Sequence, residues 1–101
     1  MSVLHSFHLH SSGLRPVAVL CEPASGRRLT VSTDQPAVQV YTGNFLTGGV
    51  VAGPGLLRQG DGIALETQRH PDAPNQPDLG LATLEPGDEY RNTTVWRLDR
   101  T

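Results

Sequence analysis

Apolar and polar residues alternate along most of this chain with a period of two. No stretch has the period of about 3.6 that marks an amphipathic helix. The clearest run covers residues 90–99, where Trp96 and Leu98 belong to one alternating set and Arg97 and Asp99 to the other. A strand of this kind has one face for a core and one for water. The alternation therefore predicts an all-β protein made of antiparallel strands.

The predicted strands are separated by turn sequences and cover residues 3–10, 14–22, 29–33, 37–42, 62–68, 81–84 and 90–99. Two further stretches are predicted to be loops. Residues 43–60 contain six glycines, and residues 69–80 contain three prolines. Short strands between such turns are typical of an antiparallel β-sandwich. With 101 residues, the chain is expected to form a single domain.

The basic residues exclude one class of partner. All eight are arginines, and only Arg27 and Arg28 are adjacent in the sequence. A nucleic-acid-binding surface needs a stripe or patch of positive charge, and the formal net charge here is −2. We therefore expect no nucleic-acid partner.

The sequence also predicts the compartment. The single cysteine, Cys21, leaves no internal disulfide and no cysteine-rich zinc site. No run approaches the ~20 apolar residues of a membrane helix, and residues 1–10 lack the pattern of a signal peptide. These features predict a cytoplasmic protein with no membrane partner.

Metal and cofactor chemistry find little support in the sequence. His8 and His10 are expected on one face of the first strand, but no third ligand is evident there. Gly53-Pro54-Gly55 precedes no predicted helix and lacks a phosphate-binding pattern. We expect no metal site and no cofactor.

Three polar side chains are candidates for chemistry. Glu66 lies in the middle of a predicted strand, so it is either an ordinary exposed carboxylate or the lining of a polar cleft, where it could act as a general base. Gln39 and Tyr41 share one strand face, where an amide and a phenol suit hydrogen bonding to a hydroxyl-rich ligand. A glycosidase would need a second well-placed carboxylate, but Asp61 and Asp72 fall in predicted loops.

Four segments together resemble the C-terminal signature of the aldose 1-epimerases. They lie in the family's order within residues 29–98: QVYTGNFL at 39–46, LETQ at 65–68, PDAPNQP at 71–77 and LEPGDEYRNTT at 84–94. The resemblance implies part of a large antiparallel β-sandwich. It also implies interconversion of the α and β anomers of free hexoses such as galactose and glucose. Carried over by position, Glu66 corresponds to the general base and Gln39 to a glutamine that binds sugar hydroxyls.

The resemblance covers only part of the family's length, which is about three times that of this chain. Residues 1–101 are thus expected to be one partial domain, the C-terminal segment, with the family's catalytic histidine upstream of the part that matches. Leu4 stands where the family has a sugar-binding aspartate. The expected partners are a free aldohexose and either an upstream-half chain or further copies that associate through exposed sheet edges. A non-catalytic carbohydrate-binding or structural remnant is the alternative.

Overall fold

The computed structural model describes residues 4–42, 47–52, 55–58, 62–80 and 83–101. Two short 3-10 turns, Ala73–Asn75 and Pro77–Leu79, are the helical elements of these ranges, and neither has the length or apolar character to cross a membrane. The other elements are strands, so the all-β prediction is confirmed. They are β1 Leu4–His8, β2 Arg15–Glu22, β3 Arg27–Thr33, β4 Ala37–Tyr41, β5 Thr47–Ala52, β6 Gly55–Arg58, β7 Ala64–Gln68 and β8 Thr94–Arg100.

The strands form three antiparallel sheets. The first has the order β1-β4-β7, the second has the order β2-β3-β8, and β5 pairs with β6 as a hairpin. The first two sheets meet where the Oγ1 atoms of Thr67 in β7 and Thr94 in β8 lie 2.8 Å apart. Val31 of β3 and Val38 of β4 are buried. This arrangement is sandwich-like, as the sequence predicted.

The prediction that residues 43–60 form one long loop is wrong. Thr47–Ala52 and Gly55–Arg58 are strands that pair with each other. The glycines are tolerated because the register shifts between Thr47 and Val50, and a bulge is a usual place for glycine in a strand. Gly55 has φ +126°, which L side chains rarely adopt. Residues 43–46, 53–54 and 59–61 lie outside the described residues.

Other strand predictions also differ from the structure. Thr83 and Leu84 are not in a strand, while residues 81 and 82 lie outside the described residues. The last strand begins at Thr94 rather than Tyr90. The backbone N–H of Thr93 donates to the side chain of Asp34, in the connector between β3 and β4, at 3.2 Å, and the Tyr90 hydroxyl donates to Oε1 of Gln35 at 2.7 Å.

The connector, residues 34–36, takes the chain from the second sheet to the first and is held from several sides. Asp34 Oδ1 accepts bonds from the side chain of Gln35 at 3.0 Å and from the Thr93 N–H at 3.2 Å, and these bonds lower the pKa of the Asp34 carboxyl. Arg15 donates to the carbonyl of Gln35 at 3.0 Å. The relative position of the two sheets therefore depends on a hydrogen-bonded connector.

One face of the second sheet is apolar and only partly covered. Leu20, Leu29, Val31, Trp96 and Leu98 belong to this face by register. Val31 is buried, whereas Trp96 is 68% exposed and Leu98 is 79% exposed. The prediction that this side of the last strand faces a core is therefore wrong for Leu98 and for most of the Trp96 side chain.

The second sheet also carries a cross-strand ion pair. Asp99 accepts two bonds from Arg28, at 2.7 Å and 2.6 Å, and the Arg28 hydrogen bonds hold the pKa of Asp99 below its usual value.

A lowered folded-state pKa adds stability above the unfolded carboxyl pKa of about 3.9, and this contribution is lost as pH falls through the folded value. We expect Asp99→Asn to lower the urea midpoint at neutral pH. The difference should shrink toward zero near pH 2, while the exposed control Asp78→Asn should match the parent at both. An equal loss at both pH values would contradict this.

Candidate functional site

The register places six polar residues on one face of the β1-β4-β7 sheet, which we call the polar face. Partners across adjacent antiparallel strands share a face, and so do residues two apart along a strand. Ser6 pairs with Gln39, and Gln39 pairs with Glu66. The members of the polar face are Ser6, His8, Gln39, Tyr41, Glu66 and Gln68.

Glu66 and Gln39 are directly opposite each other on adjacent strands. Glu66 is exposed, whereas Gln39 is half-buried. Gln68 is also half-buried, and its Nε2 donates to Oε1 of Gln39 at 2.6 Å. Tyr41 is half-buried two residues along β4 and pairs with Ala64. The structure thus brings together the three candidate residues that the sequence singled out.

One end of the polar face is closed by the segment that follows β7. His8 Nδ1 and His70 Nε2 lie 2.8 Å apart, and the two rings stack with centroids 4.8 Å apart. His70 is 8% exposed. This contact joins β1 to the segment after β7.

A cavity of about 350 Å³ opens at this end of the face, close to the lower limit of the roughly 300–1,000 Å³ usual for ligand sites. Ser6 and His8 line it from the sheet, and Pro71, Asp72 and Leu79 line it from the segment after β7 together with His70. Gln39 and Glu66 are not part of this lining as described, but Ser6 is the register partner of Gln39. The cavity therefore borders the polar face at its His8 end.

Asp72 gives the cavity wall a negative charge. Its carboxylate accepts bonds from the side-chain amides of Asn75, at 2.9 Å, and Gln76. The Asn75 and Gln76 bonds lower the pKa of Asp72. These bonds hold the Asp72 carboxylate within the turn and stabilise its charged form, whereas a general acid must keep its proton. Asp61, the other glycosidase candidate, lies outside the described residues.

The histidines predicted to share a face do not form a metal-binding set. β1 ends at His8, and the His8 and His10 rings meet edge to face with centroids 5.9 Å apart. Within the described ranges, no group of three or more histidine, cysteine, aspartate or glutamate side chains is placed to hold a metal ion.

Cavities also lie elsewhere among the described residues. One of about 470 Å³ lies at the end of the second sheet, between Leu20, Arg28 and Leu98. Another of about 240 Å³ lies between the two sheets, and Trp96, Leu65 and Glu66 are in its lining. Glu66 therefore lies at the rim between the polar face and the cleft that separates the sheets.

The sequence alone missed two features of this site. Gln68 is two residues from Glu66 on the same face, but nothing local shows that its amide meets Gln39. His70 lies in a proline-rich stretch, and its pairing with His8 depends on a contact across 62 positions. Register is the signal that could have found Gln68, because a β4-β7 pairing places it diagonally opposite Gln39.

The polar face offers a carboxylate acceptor, two amides, a phenol and a hydroxyl on a rigid antiparallel sheet. This chemistry suits hydrogen bonding to a compound with several hydroxyl groups. Residues 1–97 match the family model described as Aldose 1-epimerase. The chain belongs to the aldose 1-epimerase family.

The chain is also similar to curated members of this family. It is 42% identical to a galactose mutarotase of Rattus norvegicus over 93% of this chain and 51% identical to one of Homo sapiens over 73%. It is 43% identical to an aldose 1-epimerase of Haemophilus influenzae over 73%. The matches cover 31% of the rat relative and 22% of each of the other two. The chain thus spans about a third or less of the length of these relatives.

Proposed function

We propose that this chain carries the general base and one sugar-binding wall of an aldose 1-epimerase that acts on free aldohexoses such as galactose and glucose. The observation that supports this most directly is the placement of Glu66 opposite Gln39 on the polar face. Glu66 is the proposed catalytic residue, while Gln39 and Tyr41 are proposed to bind sugar hydroxyls. The names of the similar galactose mutarotases and aldose 1-epimerases support the same reaction.

In the proposed reaction the Glu66 carboxylate takes the proton of the hydroxyl on C1. The C1–O5 bond breaks, C1 becomes the carbonyl carbon, and the bonding electron pair goes to O5, which accepts a proton from an acid. Rotation about C1–C2 and reversal of these steps give the other anomer. The reaction therefore needs a base and an acid on two sides of the sugar.

The acid is proposed to come from a further polypeptide segment, such as an upstream-half chain. The polar face of the β1-β4-β7 sheet is one wall, whereas a small-molecule site uses groups that converge from several sides. The exposed Trp96 and Leu98 support the same proposal, because an apolar sheet face is usually covered by another layer. Residues 1–101 are accordingly proposed to be a single partial domain.

A cytoplasmic location is proposed on one observation. Cys21 is a free and exposed thiol, and such thiols persist in compartments that keep cysteine reduced.

The alternative is a non-catalytic carbohydrate-binding or structural remnant of the same fold. The hydrogen bond between Gln68 and Gln39 favours it to this extent: an ordered amide pair can bind a sugar without any acid partner. Affinity separates the two proposals, because a binding module must hold its sugar with this chain's residues alone.

We expect the 101-residue chain to bind sugars weakly. Gln39, Glu66 and Tyr41 contact a sugar from one side, so little of its surface is buried. Isothermal titration with millimolar galactose should show no saturable heat, and the Gln39→Met variant should give the same trace. A dissociation constant in the micromolar range that Gln39→Met abolishes would favour the binding module instead.

A further inference from the structure

We propose that Gln68 is a positioning residue that fixes which end of the Gln39 amide faces the sugar. The inference rests on the proposed function, because it assumes that Gln39 binds substrate. It goes beyond that function by assigning a role to the last residue of the LETQ motif, to which neither the resemblance nor the proposed reaction gives one.

The main evidence is the hydrogen bond that Gln68 Nε2 donates to Gln39 Oε1, with a distance of 2.6 Å between the two atoms. Both side chains are half-buried, and the β4-β7 register places them on one face of adjacent strands. Residue 68 pairs with Ala37, whose small side chain leaves room for the Gln68 amide to reach diagonally toward Gln39. The geometry thus places an amide donor against the Gln39 carbonyl.

This contact decides the hydrogen-bonding character of Gln39. A glutamine amide can present either its carbonyl oxygen or its NH2 group, and the neighbouring groups determine which. Because Gln68 occupies the carbonyl oxygen, the NH2 group is the end that Gln39 offers to a ligand. Without Gln68, the amide could turn and present an acceptor.

A donor at Gln39 complements the acceptor opposite it. The Glu66 carboxylate accepts a proton or hydrogen bond from one sugar hydroxyl, and the Gln39 NH2 group donates to an oxygen beside it. Two neighbouring oxygens on a sugar ring, one donating and one accepting, match this pair. With two acceptors side by side, both hydroxyls would have to donate, and neither sugar oxygen would receive a hydrogen bond from this pair. Gln68 therefore holds Gln39 in the orientation that donates to the oxygen beside the hydroxyl that Glu66 contacts.

The first test uses the chain itself and involves no sugar. In Gln68→Met, which keeps the length of the side chain and removes the amide, the side-chain NH2 resonances of Gln39 should shift, because the Gln39 carbonyl oxygen loses the bond from Gln68. The matched control is Gln76→Met in the exposed turn region, which should leave the Gln39 resonances unchanged. Unchanged Gln39 resonances in Gln68→Met would overturn the inference.

The second test measures the consequence for the reaction in a complete-domain fusion. This fusion joins the part of human galactose mutarotase outside the matched segment to this chain. Loss of one orienting hydrogen bond should raise KM roughly 2- to 10-fold in Gln68→Met. We expect kcat to stay within about twofold, because Gln68 does not touch the reacting atoms. A merely structural defect would lower the active fraction and thus kcat instead, and that result would overturn the inference.

Deoxy sugars identify the hydroxyl and separate the two proposals. Removing the hydroxyl that Gln39 contacts should weaken the parent fusion, but it should have a smaller effect in Gln68→Met and none in Gln39→Met, as in a double-mutant cycle. If Gln39→Met responds as proposed and Gln68→Met matches the parent, the positioning role fails and the proposed function stands. If neither variant changes KM, the role of Gln39 in the proposed function fails as well.

Discussion

Replacement of Glu66 by glutamine in the complete-domain fusion is expected to slow mutarotation by roughly 10²- to 10⁴-fold, the usual contribution of a positioned general base. Glutamine keeps the shape and the hydrogen-bonding capacity but cannot take the proton of the C1 hydroxyl. Polarimetry on freshly dissolved α-galactose or α-glucose measures the rate directly. Because Glu66 is exposed, the substitution should not affect folding.

The control for this prediction is Glu85→Gln. Glu85 is also exposed, but it lies in the turn region before β8. The control should keep the parental rate, and both variants should unfold at the parental urea concentration. A Glu66→Gln fusion that turns over at close to the parental rate would end the proposal that Glu66 is the base.

The second large effect concerns the 101-residue chain alone, which should not accelerate anomer equilibration above a buffer blank. A base without an acid leaves the charge that develops on the ring oxygen unstabilised, and such stabilisation is usually worth several kcal/mol. The same sample should self-associate on gel filtration. Strands at the edges of the sheets pair readily with other chains, and the exposed Trp96 and Leu98 add an apolar surface that a second copy can cover. A monomer that clearly accelerates equilibration would contradict both expectations.

The apolar face of the second sheet gives this prediction a matched pair of variants. Trp96→Thr with Leu98→Thr removes exposed apolar surface from the face and should shift the protein toward monomer. Val19→Thr with Val95→Thr makes similar changes on the opposite face, which the register assigns to these residues, and should leave the elution volume unchanged. Equal shifts in both variants would show that the apolar face is not the contact surface.

The local alternation of apolar and polar residues predicted much of the fold, and its failures have more than one cause. The strands at β2, β3, β4 and β7 were predicted to within two residues at each end, because alternation between turns is a local signal. The β5-β6 hairpin was missed since six glycines outweighed the valines and leucines between them. The predicted start of the last strand at Tyr90 is wrong, because the backbone N–H of Thr93 donates to the side chain of Asp34, which lies 59 positions away.

The site was predicted in part for the same reason. Period two places Gln39 with Tyr41 on one face of β4, and Glu66 with Gln68 on one face of β7. It does not state which residue of β4 lies opposite Glu66, because a slip of one residue would turn every side chain of a strand to the other face. The resemblance to the family singled out Glu66 and Gln39, but only the strand register shows that the two residues lie opposite each other.

The sequence by itself determined the fold class, the strand faces and the family, because the alternation of apolar and polar residues and the order of the motifs are properties of the sequence alone. The tertiary structure alone decided that Gln39 lies opposite Glu66, that Gln68 holds the Gln39 amide and that His70 stacks on His8. It also decided that Trp96 and Leu98 are exposed, although their pattern is that of a core. Pairing and burial depend on which distant segments meet, and hydrogen bonds between strands are formed only when the whole sheet is in place.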